Sequence, residues 1–118
     1  MANALRVEDS DWAGVWVGLV EVVPEPGNEA QLEGAGAYVQ VVAPASSEGE
    51  FRRAAETLFA EGGFRVIGIS DAEPFSDRLR YGTADRRIRK LAKRVAESRG
   101  PAFDERWHIY ERDDDYDG

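Results

Sequence analysis

The chain's 118 residues suffice for one domain that buries about two thirds of its unfolded surface, so folding needs neither metals nor staples. Its 42% apolar and 10% aromatic content exclude a disordered chain, and the absence of cysteine excludes disulfides, thiolate catalysis and cysteine metal sites. The net charge of −8 disfavours general nucleic-acid binding, because phosphate repels an acidic protein.

Residues 1–12 read as an N-terminal arm. They turn acidic early and lack the apolar core of a signal peptide. No apolar run approaches the roughly 18 residues of a membrane span. A soluble, cytoplasmic protein with no membrane attachment is the expectation.

Residues 13–23, AGVWVGLVEVV, predict the first strand. Val15, Val17 and Leu19 alternate with Trp16, Gly18, Val20 and Val22, so both rows are apolar and at least one requires a covering layer. Pro24 and Pro26 end the strand. Residues 24–36 form a loop rich in Gly, Pro and Glu, and AYVQVVA at 37–43 is the second strand. In the next segment Ser47 and Glu50 have the spacing of a capping box. Phe51, Ala54, Ala55, Leu58 and Phe59 form one helical stripe, closed by Gly62 and Gly63.

FRVIGIS at 64–70 is the third strand, and strand–helix–strand predicts a βαβ unit with a right-handed crossover. Residues 71–83 read as an ordered loop in which Pro74 blocks helix at Glu73. A second helix over Ala84–Ser98 buries Ile88, Leu91, Ala92 and Val95, with Thr83 as its expected N-cap. Gly100 and Pro101 stop it. RWHIYER at 106–112 is the last strand, with Trp107 and Ile109 facing opposite His108 and Tyr110.

The order ββαβαβ predicts an α+β two-layer sandwich over residues 13–112: a four-stranded, mainly antiparallel sheet with two helices on one face. This resembles the ferredoxin-like class in a variant topology. The resemblance is one of architecture, without a specific motif, and it implies no function.

Standard chemical motifs are missing. There is no GxGxxG or GxxxxGK[ST] between strand and helix, and the first helix begins among acids that repel phosphate. No GxSxG elbow exists, and one histidine, His108, would have to serve any triad. The terminal run DDDYD lacks the glycine turn and closing glutamate of a calcium loop. No catalytic residue, metal ligand or cofactor is therefore assigned.

Charge is uneven. Residues 84–99 carry seven basic and two acidic side chains, a balance of +5, leaving −13 on the rest of the chain. Such asymmetry can steer a charged partner. The sheet face away from the helices would carry Tyr38, Gln40, His108, Tyr110 and one apolar row of the first strand. A face so apolar calls for a partner protein, a second copy of the chain or a small ligand, unless residues 24–36 or 71–83 fold over it.

These features point to a small acidic protein-binding module, with an immunity- or antitoxin-type inhibitor of a basic protein as its concrete form. The expected contacts are Trp107, His108, Tyr110 and Tyr38, with Glu111, Asp113, Asp114 and Asp115 of the acidic tail (113–118) steering association. A ligand-sensing or dimerising regulatory domain is the alternative. A small dimeric enzyme using His108 in an open-face pocket is a third.

Overall fold

The computed structural model describes residues 12–28, 35–82 and 84–111. The protein is α+β. Its elements are β1 (Val15–Pro24), β2 (Gly36–Pro44), α1 (Glu48–Ala60), β3 (Phe64–Pro74), α2 (Phe75–Tyr81), α3 (Arg86–Ser98), β4 (Ala102–Phe103) and β5 (His108–Tyr110). Every strand pairing is antiparallel. The strand order is β3-β1-β2-β4, with β5 also paired to β2. Among the described residues there are thus five strands where four were expected, and three helices where two were expected.

β1 and β2 are the central hairpin because both rows of each are largely apolar. The register Gly18↔Val41, Val20↔Val39 and Val22↔Ala37 sets one face. These residues pack with Phe51, Ala55 and Phe59 of α1 in one buried cluster. The opposite face pairs Val17 with Val42. Those two residues and Val15 are buried against Phe75 of α2 and Ile88, Leu91, Ala92 and Val95 of α3. The helices therefore lie on both faces of the sheet, and the expected two-layer arrangement is corrected. The second apolar row of β1 is apolar because a second helical layer covers it.

That layer begins in the segment 71–83. Pro74 does exclude helix at Glu73, but it then serves as the residue before the first turn of α2. Phe75, fully buried, anchors the short helix, and Trp12 meets its ring edge-on at 4.8 Å between centroids. The Trp12 carbonyl also closes a backbone turn, accepting from Val15 N at 3.1 Å.

Local signals hold with small changes. Ser47 caps α1 by accepting from Glu50 N at 3.2 Å. The Glu50 carboxylate reaches back one residue further than a capping box requires, to Ser46 N and Ser46 Oγ, each at 2.8 Å. α3 starts at Arg86, two residues later than predicted, because Asp85 is its N-cap and accepts from Ile88 N at 2.9 Å. Thr83, the expected cap, lies outside the described residues. β2, α1 and β3 form the crossover foreseen in the sequence, split by β1 lying between the two strands. The final strand is shorter than expected: only His108–Tyr110 pair with β2, and residues 104–107 form a turn between β4 and β5. No helix among the described residues is long and apolar enough to cross a membrane.

Candidate functional site

α2 and α3 cover only the Val15/Val17/Val42 end of their face. Among the described residues, no helix covers the other end. Across it the register aligns Glu21 with Tyr38 and Tyr38 with His108, and one row further Gly36 with Tyr110. Alternation along β2 places Gln40 on the same face as Tyr38. Tyr38, Gln40, His108 and Tyr110 thus share one face, as their strand periodicity predicted.

Tyr38 and Tyr110 pack with ring centroids 5.3 Å apart. Tyr110 lies over Gly36, where a Cβ would come within 2.5 Å of its hydroxyl oxygen and 2.7 Å of Cζ. From there the hydroxyl donates to the Glu21 carboxylate. A glycine in β2 therefore makes the seat for an aromatic ring arriving from β5, and the pair becomes a rigid ridge. Tyr38 is 38% exposed. His108 is exposed beside it, and its side chain makes no hydrogen bond or ion pair among the described residues.

Trp107, expected at the contact face, turns the other way. It packs edge-on against Phe59, Phe64 and Phe103, with centroids 5.2–5.8 Å apart. Its partly buried ring locks the β4–β5 turn onto α1. Ile109 shares the α1 side and is 50% exposed. Glu111 is exposed at the end of β5. Asp113, Asp114 and Asp115 lie outside the described residues.

A cleft of about 500 Å³ separates the tyrosine ridge from the helices. It is lined by Gln40, Arg78, Asp85, Asp104, Arg106 and His108, with Ala84 and Ile88 behind. A second hollow of about 300 Å³ shares Gln40 and Arg78 and continues to Leu19, Asp71 and Glu73. Arg78 is held in place. Its Nε donates to Glu73, and its Nη2 donates to the Asp71 carbonyl at 3.1 Å. Asp71 sits at φ 56°, in the left-handed region, where β3 bulges against β1. That bulge presents the carbonyl to Arg78.

Asp104 is equally committed. It accepts from Arg87 Nη2 at 2.7 Å and from Arg106 N at 3.0 Å. The Arg87 bond holds its carboxyl below the usual range, against the opposing effect of burial. The same bond raises Arg87. By contrast, Gln40 Oε1 is buried and has no hydrogen-bond partner among the described residues. Such an atom costs about 1–3 kcal/mol. Sequence reading named Gln40 only as a member of the face. It missed Arg78 and Arg106, because a bulge and a turn position them and neither has a periodic signature.

The lowered carboxyl predicts acid sensitivity. A carboxylate with a depressed native pKa contributes stability that is complete above the ordinary carboxylate range and lost as pH falls through the native value. Glu50, held low by its Ser46 hydrogen bonds, acts in the same sense. Asp104→Asn is expected to lower stability at about pH 7 and to lose less of it between about pH 5 and pH 2 than the parent chain. Urea midpoints at both ends of that range measure this. An unchanged acid-dependent loss in the variant would remove Asp104 from the explanation.

α3 turns its apolar stripe to the sheet and leaves Arg86, Arg89, Lys90, Lys93 and Arg94 exposed. Among the described residues, the Arg87–Asp104 pair joins this basic surface to the acidic body. Comparison with family models, with curated proteins and with solved structures gives no match.

Proposed function

We propose that this chain is a small acidic protein-binding module whose contact face is the uncovered end of the sheet around Tyr38, Tyr110 and His108. The observation carrying this reading is the ridge itself: two packed tyrosines and an unpartnered histidine, on the part of the sheet that no described helix covers. Rigid aromatics of this kind anchor interfaces at low cost in side-chain entropy.

The charge distribution selects a basic partner of the kind an immunity protein or antitoxin neutralises. Outside residues 84–99 the chain carries −13, and Glu21 and Glu111 flank the ridge. The cations of α3 stand at the other end of the same face. A basic partner would be drawn to the ridge and repelled from α3, which fixes its orientation as well as its rate of approach. A cytoplasmic setting suits this role. The enzymatic alternative has less support, since no described group orients His108 as a base.

A tagged pull-down at about 0.1 M and about 0.5 M salt, with screening lengths of roughly 10 Å and under 5 Å, tests the reading. One stoichiometric basic protein, captured more weakly at high salt, is the expected result. The double variant Tyr38→Ala/His108→Ala is expected to weaken that complex by about 2 kcal/mol, or about thirtyfold. Recovery of a salt-insensitive homodimer, or capture unaffected by the double variant, would sink the proposal.

A further inference from the structure

We propose that the free edge of β4 docks an extended acidic segment of another protein, which pairs with Phe103 as an added strand and sets its carboxylates on Lys90 and Arg94 of α3. Among the described residues β4 pairs only with β2, so it ends the sheet on that side. The pairing also shows which of its backbone groups face outward. Asp104 N donates to the Gln40 carbonyl at 2.9 Å, so these two residues form a hydrogen-bonded pair. Opposed residues of an antiparallel ladder alternate between bonded and unbonded pairs. Phe103, opposite Val41, is therefore in an unbonded pair, and its N–H and C=O point away from β2. Pro101, two residues back, has no N–H to offer. A strand added here must centre its pairing on Phe103.

This edge lies in a groove of about 490 Å³, with Leu58 of α1 on one wall and Arg87, Lys90, Leu91 and Arg94 of α3 on the other. The walls belong to opposite faces of the sheet, since Phe103 packs with the α1 cluster and Ala102 with the α3 cluster. A strand laid on β4 sends alternate side chains to each wall. Those on the α1 wall meet half-buried Leu58 and the Phe103 ring, which suits apolar groups. Those on the α3 wall meet cations. Arg87 is already held by Asp104, whereas Lys90 and Arg94 make no ion pair among the described residues. The Arg87 bond and the short connection 99–101 set α3 alongside β4. Lys90 and Arg94 stand about 6 Å apart along the helix axis. Alternate residues of a strand are about 6.8 Å apart, so an acid at every second position matches the two cations. Asp104 and Glu105 repel acids from the other end of the groove.

β4 has two residues, too few for main-chain pairing alone to hold a partner, so the walls decide what binds. An alternating acidic and apolar segment satisfies both walls and the Phe103 backbone together. A nucleic acid would meet the cations, but it has no strand edge to pair with Phe103. Its continuous phosphates are also repelled by the −13 carried outside residues 84–99. The groove is separate from the tyrosine ridge: β4 pairs with Val41 and Val42, while β5 pairs with residues 36–38 of the same strand.

The test is a titration of the ¹⁵N-labelled full chain with the end-capped peptide SEVEVES. Saturable shifts are expected at the amides of Phe103, Lys90 and Arg94, and the Phe103 amide is expected to gain protection from hydrogen exchange. The same peptide N-methylated at its three central residues keeps its charge but loses its strand donors, and is expected to bind about tenfold more weakly. The cationic peptide SKVKVKS is expected not to bind. Lys90→Gln/Arg94→Gln changes two exposed side chains, and is expected to weaken binding about tenfold without altering the melting temperature. Absence of saturation, equal binding of the N-methylated peptide or the cationic one, or equal binding by the double variant would overturn the site. Tighter binding of a short oligothymidylate than of the peptide would do the same. Tyr38→Ala/His108→Ala is expected to leave the peptide's affinity unchanged, and a loss there would place the contact elsewhere. No basic partner is present in the titration, so its failure and the failure of the protein-binding reading are separate results.

Discussion

Phe51→Ala is expected to destabilise the protein by about 3–5 kcal/mol, near the top of what one core truncation removes. Phe51 is fully buried on α1, and its ring lies directly over Gly18 in the central strand. A Cβ built on Gly18 would stand 2.9 Å from Phe51 Cε2, 3.0 Å from Cζ and 3.2 Å from the Ala72 Cα. The ring therefore fills the gap left by a missing side chain in β1. When the ring is cut away, the void includes Gly18's position as well as its own. No side chain on Gly18 can move in, so the site cannot collapse, and the cavity contribution is large. Approached from the strand, Gly18→Ala is expected to cost about 1–3 kcal/mol by overpacking, since the Ala72 backbone cannot retreat as a side chain could. The two changes should be strongly non-additive. Adding Gly18→Ala to the Phe51→Ala background is expected to cost less than it does in the parent chain, because the contact with the Phe51 ring is gone and only that with the Ala72 Cα remains. Urea midpoints with unchanged slopes measure the cycle. Additive losses would show that the ring and the strand are not packed in this way.

The same pair shows what the sequence could and could not reveal. Phe51, Ala55 and Phe59 announce α1 by their spacing, and Ile88, Leu91, Ala92 and Val95 announce α3. β1 announced that both its rows are apolar. It could not say which helix lies on which row, because that follows from the connections and not from periodicity. The decisive element was α2. Its seven residues are too few to display a period, and Pro74 disguises its start as a break. A similar limit applies at the C-terminal end. RWHIYER alternates well, yet Asp104 captures the Arg106 amide and turns the chain before Trp107. Side-chain capture of a backbone donor of this kind ends a strand without any change in hydropathy. The candidate site divides in the same way. Tyr38, Gln40, His108 and Tyr110 were legible as co-facing because strands alternate. Arg78 and Arg106 were not, because a bulge and a turn deliver them.

Gly36→Ala is expected to release β5 from the sheet, and with it the tyrosine ridge, at a cost of about 1–3 kcal/mol. Any Cβ at position 36 collides with the Tyr110 hydroxyl and Cζ, and it also comes within 2.8 Å of the Val22 carbonyl oxygen. The backbone side of that contact belongs to the central hairpin and cannot yield. Tyr110 must therefore leave, breaking its hydroxyl bond to Glu21 and its packing on Tyr38. β5 is three residues long and has little else to hold it once its aromatic anchor is lost. Hydrogen exchange locates the effect. The Ala35 amide, which donates to the Tyr110 carbonyl at 2.8 Å, should lose its protection, while the Val20–Val39 centre of the hairpin retains its own. Tyr110→Phe supplies the contrast. It deletes the bond to Glu21 and keeps the ring on Gly36, costs about 1 kcal/mol and leaves Ala35 protected. If the ridge is the contact face, Gly36→Ala should abolish partner capture although it alters no residue assigned to the contact, and Tyr110→Phe should preserve it. Protection of Ala35 that survives Gly36→Ala would mean that Tyr110 does not rest on this glycine, and the ridge would lose its structural basis.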